Sequence, residues 1–140
     1  MMNTVELFQK AQDSNIPVMY LYIPESGSMC LQSESRQCYI GMDYDVLKSE
    51  ADNRVHLAHE LGHCMTGSFY NIYSPCDVRG RHEYRADKWA VHYLMPPDEL
   101  QQALDDGCIE VWNLAERFGV TEDFVKRAAY IYQCEGELPA

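Results

Sequence analysis

The sequence predicts an α+β fold, with a small three-stranded sheet, antiparallel or mixed, in its first third and helices through the rest. Three observations predict it. β-Rich segments bounded by turn residues cluster before residue 43, and apolar positions recur at helical spacing after residue 45. No internal repeat or low-complexity tract interrupts either pattern. At 140 residues the length suits one domain spanning 1–140. Such a chain can bury roughly two-thirds of its unfolded surface without a metal or a disulfide to hold it.

The elements follow in order. Val5, Phe8 and Ala11 stand at helical spacing, so residues 3–14 predict a first helix. Residues 16–23 (IPVMYLYI) predict a strand, with Pro17 at its start and Pro24 as its stop. Two more short strands are expected at 28–32 and 37–42, around the polar turn SESR. From Asp45 the pattern changes. Val46, Leu47, Val55, Leu57, Ala58, Leu61 and Met65 lie in a Pro-free run ending at Gly67, which predicts a long helix over at least 53–65. Residues 67–81, rich in Gly, Ser, Asn, Pro and Asp, read as a loop. A helix is expected from about His82 to Leu94, closed by Pro96-Pro97. Another starts there, with Asp98 and Glu99 in its first turn to complement the helix dipole, and ends at Gly107. Residues 110–118 and 121–132 complete the C-terminal helical segment as two short helices joined at Gly119, the second capped by Thr121.

Composition excludes several function classes. With 22 acidic against 11 Lys and Arg side chains, the formal charge is −11, which argues against a surface for duplex nucleic acid. No apolar run approaches the roughly 18–20 residues of a membrane span. The N-terminal MMNTVELFQKAQDSN lacks the basic-then-apolar pattern of an export signal, so a cytoplasmic protein is expected. Six cysteines (Cys30, Cys38, Cys64, Cys76, Cys108 and Cys134) contain no C-x-x-C pair. In a reducing compartment most of them read as small buried hydrophobes.

The chemistry sits in His59-Glu60-Leu61-Gly62-His63, an H-E-x-x-H pattern. Histidines at i and i+4 share one helical face and can converge on one tetrahedral zinc ion. Glu60, one position on, cannot ligate from that face but can reach a water bound there and take its proton. A catalytic zinc site needs a third protein ligand and an open position. Glu83, beyond the intervening residues 64–82, can supply that ligand from the next helix. Asp87, one turn later on the same face, can accept the outer N–H of a ligating histidine. Ala86 and Ala90 let the two helices approach closely. The rival third ligand is His82, which a rotation of about 100° separates from Glu83, so both cannot face the ion. His56 can hydrogen-bond near the site, although a surface or packing role is the plainer reading. His92 reads as structural, and Cys64 as core. Tyr70, Tyr73, His82 and Tyr84 are candidates for an additional donor to the oxyanion.

The HELGH run, E-x-x-A-D-x-W-A from Glu83 to Ala90 and the following Tyr93-Leu94-Met95-Pro96 resemble the ImmA/IrrE-type metallopeptidases. The likeness is specific over residues 56–96. The arrangement also resembles thermolysin-like gluzincins. The resemblance implies a zincin-like helical core and one zinc ion held by His59, His63 and Glu83. It implies Glu60 as the catalytic carboxylate and a protein substrate, a helix-turn-helix transcriptional repressor, often of a phage or mobile element. It also implies that an edge strand, here the one containing Tyr39-Ile40-Gly41, holds an extended peptide by main-chain hydrogen bonds. Two rival readings stand beside it. One is a repressor-binding protein that keeps the metal without cutting. The other is a DNA-binding module built on residues 114–127, whose helix–Gly–helix cadence offers only Lys126 and Arg127 as cations on its second helix.

Overall fold

Asn3 opens the fold as an N-cap, its side chain accepting the Glu6 N–H at 2.8 Å. Helix α1 (Thr4–Asp13) follows in the computed structural model, which describes residues 3–70 and 74–136. Strands β1 (Val18–Tyr20), β2 (Ser28–Gln32) and β3 (Cys38–Met42) form a mixed sheet of order β1-β3-β2. β1 runs parallel to β3 with Val18 opposite Ile40, and β2 runs antiparallel to it with Cys30 opposite Ile40. β1 is shorter than its β-rich run. Pro17 has no N–H to donate, although its carbonyl accepts from Ile40 at 2.9 Å. Past Leu21, the Asp43 carboxylate takes the Ile23 N–H at 2.8 Å, where a ladder bond would otherwise form.

The topology corrects one expectation. The strand holding Tyr39, Ile40 and Gly41 is the central strand, paired on both sides, and has no free edge to offer a peptide. The outer positions belong to β1 and β2.

Helix α2 (Glu50–Thr66) starts at Ser49, which caps the Asp52 N–H at 3.0 Å, and stops at Gly67 in the left-handed region at φ 65°. Helix α3 (Cys76–Leu94) begins at Cys76 rather than near His82, so part of the expected loop is helical. Loop-like composition conceals this start. Pro75 stands where a missing N–H costs nothing, its carbonyl accepts from Arg79 at 3.0 Å, and Asp77 complements the dipole. Gly80 is an exposed interior residue of α3 that costs about 1 kcal/mol relative to Ala, a penalty that packing elsewhere along the helix offsets. Helices α4 (Pro97–Asp105), α5 (Val111–Phe118) and α6 (Glu122–Glu135) lie close to expectation. Gly119 is left-handed between α5 and α6, and Thr121 caps the Phe124 N–H at 3.1 Å.

The core brings Leu57, Ala58 and Leu61 of α2 together with Ile40 and Met42 of β3 and Ala90, Val91 and Leu94 of α3. Gly62 sets how closely α2 and α3 approach. A Cβ there would lie 2.4 Å from the Ala86 carbonyl oxygen and 2.9 Å from its Cα. At the far end of α3, buried Tyr132 of α6 donates its hydroxyl to the Met95 carbonyl at 2.5 Å.

The cysteines depart in part from their expected role. Cys38 and Cys64 form a disulfide that ties the start of β3 to the end of α2, 6.0 Å apart at Cα. Sequence spacing carries no sign of it, because the pairing depends on how the sheet packs on the helix. Cys30, Cys76, Cys108 and Cys134 are free, and Cys76 and Cys134 are exposed rather than core residues.

Candidate metal centre

Four residues on α2 and α3 converge. The helical repeat places His59 and His63 on one face of α2, with their Nε2 atoms 3.2 Å apart. Glu83 reaches across from α3, placing Oε2 2.9 Å from His59 Nε2 and Oε1 3.2 Å from His63 Nε2. One turn further along α3, Asp87 Oδ1 lies 2.7 Å from His59 Nδ1. The left-handed turn at Gly67 brings the Ser68 carbonyl back to His63 Nδ1 at 2.5 Å. Both imidazoles therefore donate Nδ1–H to a fixed acceptor and present Nε2 to the same point.

This donor set suits a cation. Two Nε2 lone pairs and a carboxylate facing one another repel unless positive charge sits among them. The triangle edges of 2.9–3.2 Å approach the roughly 3.3 Å edge of a tetrahedron with zinc bonds of 2.0–2.1 Å. The residues fit the group. The electrostatics point the same way. Burial of His59 works against its charged form, but hydrogen bonds to Asp87 and Glu83 outweigh it and lift its pKa to about 10. His63 moves up for similar reasons, with Glu83 and the Ser68 carbonyl overcoming burial. Burial would raise Glu83, yet its bonds to His59, His63 and Tyr70 hold it well below the ordinary carboxylate range. In the metal-free protein, protons supply the positive charge that a divalent ion would otherwise bring.

Glu60 stands beside the triangle, with a carboxylate oxygen within 4.8 Å of an imidazole nitrogen of both histidines. Only 7% exposed, it accepts a 2.7 Å bond from the hydroxyl of Ser28 on β2. Ser28 Oγ also lies 2.7 Å from His56 Nδ1. His56 is thus joined to the site through Ser28 rather than serving as a surface histidine. Burial depresses its pKa, against the pull of Glu60. Cys30, two residues along β2, is pushed up by burial and then by the charge of Glu60, so it stays a neutral thiol. Together these groups line a cleft of about 570 Å³, with apolar surface supplied by Met29, Val55, Phe69 and Phe124.

The other candidates separate clearly. Tyr70 lines the cleft and donates to Glu83 Oε1 at 2.6 Å, which raises its own pKa to about 12. Tyr84 instead bonds Glu135 at 2.8 Å. His82 stacks on the Tyr70 ring with centroids 6.1 Å apart and is not among the residues closing on the triangle. Tyr73 lies outside the described residues. His92, on the last turn of α3, packs edge-on against Tyr132. Arg127 of α6 sits 3.5 Å from Asp87 Oδ2, and Phe118, Phe124, Val125 and Ala128 are buried. Sequence reasoning did not find Ser28 or Ser68. Serine carries no periodic or motif signal, although the left-handed potential of Gly67 marked where the chain turns back.

A family model described as the IrrE N-terminal-like domain (Peptidase_M78) matches residues 11–130. No curated protein and no solved structure matches the chain.

Proposed function

Because this chain belongs to the Peptidase_M78 family of IrrE N-terminal-like domains, we propose that it is a zinc-dependent endopeptidase acting on a helix-turn-helix repressor. Family membership makes it metallopeptidase-like. The observation that carries the finer reading is the triangle of His59, His63 and Glu83, with the Glu60 carboxylate beside it. In this reading His59, His63 and Glu83 hold the ion, and Asp87 and the Ser68 carbonyl keep both imidazoles in the Nδ1–H tautomer. A zinc ion held there would acidify a water to a pKa of about 7 and polarise the peptide carbonyl. Glu60 takes the proton of the attacking water and returns it to the leaving amine. Tyr70, with its hydroxyl at the cleft, is the candidate donor to the developing oxyanion. Strand β2 is the outer strand that lines the cleft, which favours it over β3 for adding an extended peptide to the sheet. The repressor as substrate rests on the resemblance to ImmA/IrrE-type proteins.

Elemental analysis combined with a cleavage assay tests this reading. Purified wild-type protein should carry one zinc per chain, and His63→Ala and Glu83→Ala should lose it while His82→Ala keeps it. Glu60→Gln should retain zinc and cut a co-encoded repressor at least about 10²-fold more slowly. Equal cleavage by Glu60→Gln and wild type would end the peptidase reading. Binding of the repressor without cleavage by either protein would replace that reading with a silent, metal-holding partner.

A further inference from the structure

The metal-facing histidines each have a fixed partner on the side away from the ion, and the proton-carrying carboxylate has one too. Glu60 Oε2 receives a 2.7 Å bond from Ser28 Oγ, and Ser28 Oγ also lies 2.7 Å from His56 Nδ1. A carboxylate only accepts and a hydroxyl has a single hydrogen. Ser28 must therefore donate to Glu60, and His56 must donate Nδ1–H to Ser28. The result is a directed chain from His56 through Ser28 to Glu60.

We infer that Ser28 and His56 are positioning residues that hold the Glu60 carboxylate in the orientation proton transfer needs, an inference that rests on the proposed peptidase chemistry. Their placement suits the task. His56 precedes Glu60 by one helical turn on the same face of α2. Ser28 comes from the opposite wall, where β2 pairs it with Met42 and Ser26 Oγ donates to its carbonyl at 3.0 Å. Ser28 is 6% exposed, so little water competes for its hydroxyl. With Oε2 anchored on Ser28, the carboxylate keeps one orientation towards the attacking water. Without the anchor the carboxylate can rotate away from the orientation in which it takes the water's proton. Strand and helix, rather than a loop, hold the whole chain, and such support maintains tight geometry.

The test combines kinetics on the zinc-loaded protein with nitrogen-15 NMR on the metal-free protein. With a quenched-fluorescent peptide library as substrate, Ser28→Ala should lower kcat roughly 10–100-fold, leaving zinc content and KM unchanged. Ser28→Thr, which keeps the hydroxyl, should recover most of the rate. His56→Ala should fall in the same direction, and His56→Asn, which retains an N–H near the Nδ1 position, should fall less. In a Glu60→Gln background Ser28→Ala should cause no further loss, because its effect runs through that carboxylate. NMR should find neutral His56 protonated on Nδ1 and shifted by Ser28→Ala. An unchanged kcat in Ser28→Ala, loss of zinc with the activity, or His56 protonated on Nε2 would overturn the inference. If zinc-loaded wild type cuts no peptide, the peptidase reading falls, while the nitrogen-15 shifts still decide whether the chain to Glu60 exists.

Discussion

His59 and Glu83 show how one partly buried contact sets opposite pH limits. With its pKa lifted to about 10, His59 stabilises the metal-free protein fully below its unfolded value near 6.5. That contribution is lost as pH rises through about 10. Glu83 is depressed, so its contribution is present above the ordinary value near 4.5 and is lost on further acidification. The metal-free protein should therefore be most stable between about pH 4.5 and 6.5 as far as this pair decides. Calorimetric melting from pH 5 to pH 10 should show its Tm falling across the alkaline half. A zinc ion bound there would replace the protons, so the stabilisation it adds should grow over the same interval. A Tm of the metal-free protein that rises from pH 7 to pH 10 would contradict the contacts assigned to His59.

At the scale of elements, the site depends on how closely α2 and α3 approach. Gly62, inside the HELGH motif, faces the Ala86 backbone, where a Cβ would meet the carbonyl oxygen at 2.4 Å. The neighbour is backbone and cannot turn aside. Gly62→Ala should therefore push the helices apart, destabilising the protein by about 1–3 kcal/mol and weakening zinc binding by moving Glu83 away from the two imidazoles. Denaturant unfolding and a competitive zinc titration measure the two effects. A Gly62→Ala variant with wild-type stability and zinc affinity would show that the spacing is not set there. The helix-forming signals are strong along α2, where apolar spacing, the Ser49 cap and the Gly67 stop agree. They are weak at the start of α3. Pro75, Asp77 and Gly80 have loop propensities, although Pro75 and Asp77 also suit the first turn of a helix.

Across the whole molecule, the Cys38–Cys64 bond joins the sheet to the helix that carries the histidines, with 26 residues of sequence separation. Closing a loop of that size restricts the unfolded chain by about 3.5 kcal/mol in the chain-entropy description. Reduction, or the double change Cys38→Ser with Cys64→Ser, should lower unfolding stability by about that amount, as read by urea titration with and without reductant. Cys64 adjoins His63, so reduction should also increase mobility at the end of α2. Among the described residues no helix is long and apolar enough to cross a membrane. The cleft opens between β2 and the paired helices, where it meets the outer strand of the sheet.

Local sequence determined much of this protein. A four-residue spacing puts two histidines on one helical face, another puts Glu83 and Asp87 on the next, and small residues between them allow the approach. Helical periodicity alone makes those groups legible. Tertiary structure decided the rest: the central place of β3, the role of β2 as cleft wall, the disulfide, and the bonds from Ser28 and Ser68 to Glu60 and His63. A strand's order in a sheet and a serine's partner depend on contacts between residues far apart in the chain, which no local period encodes.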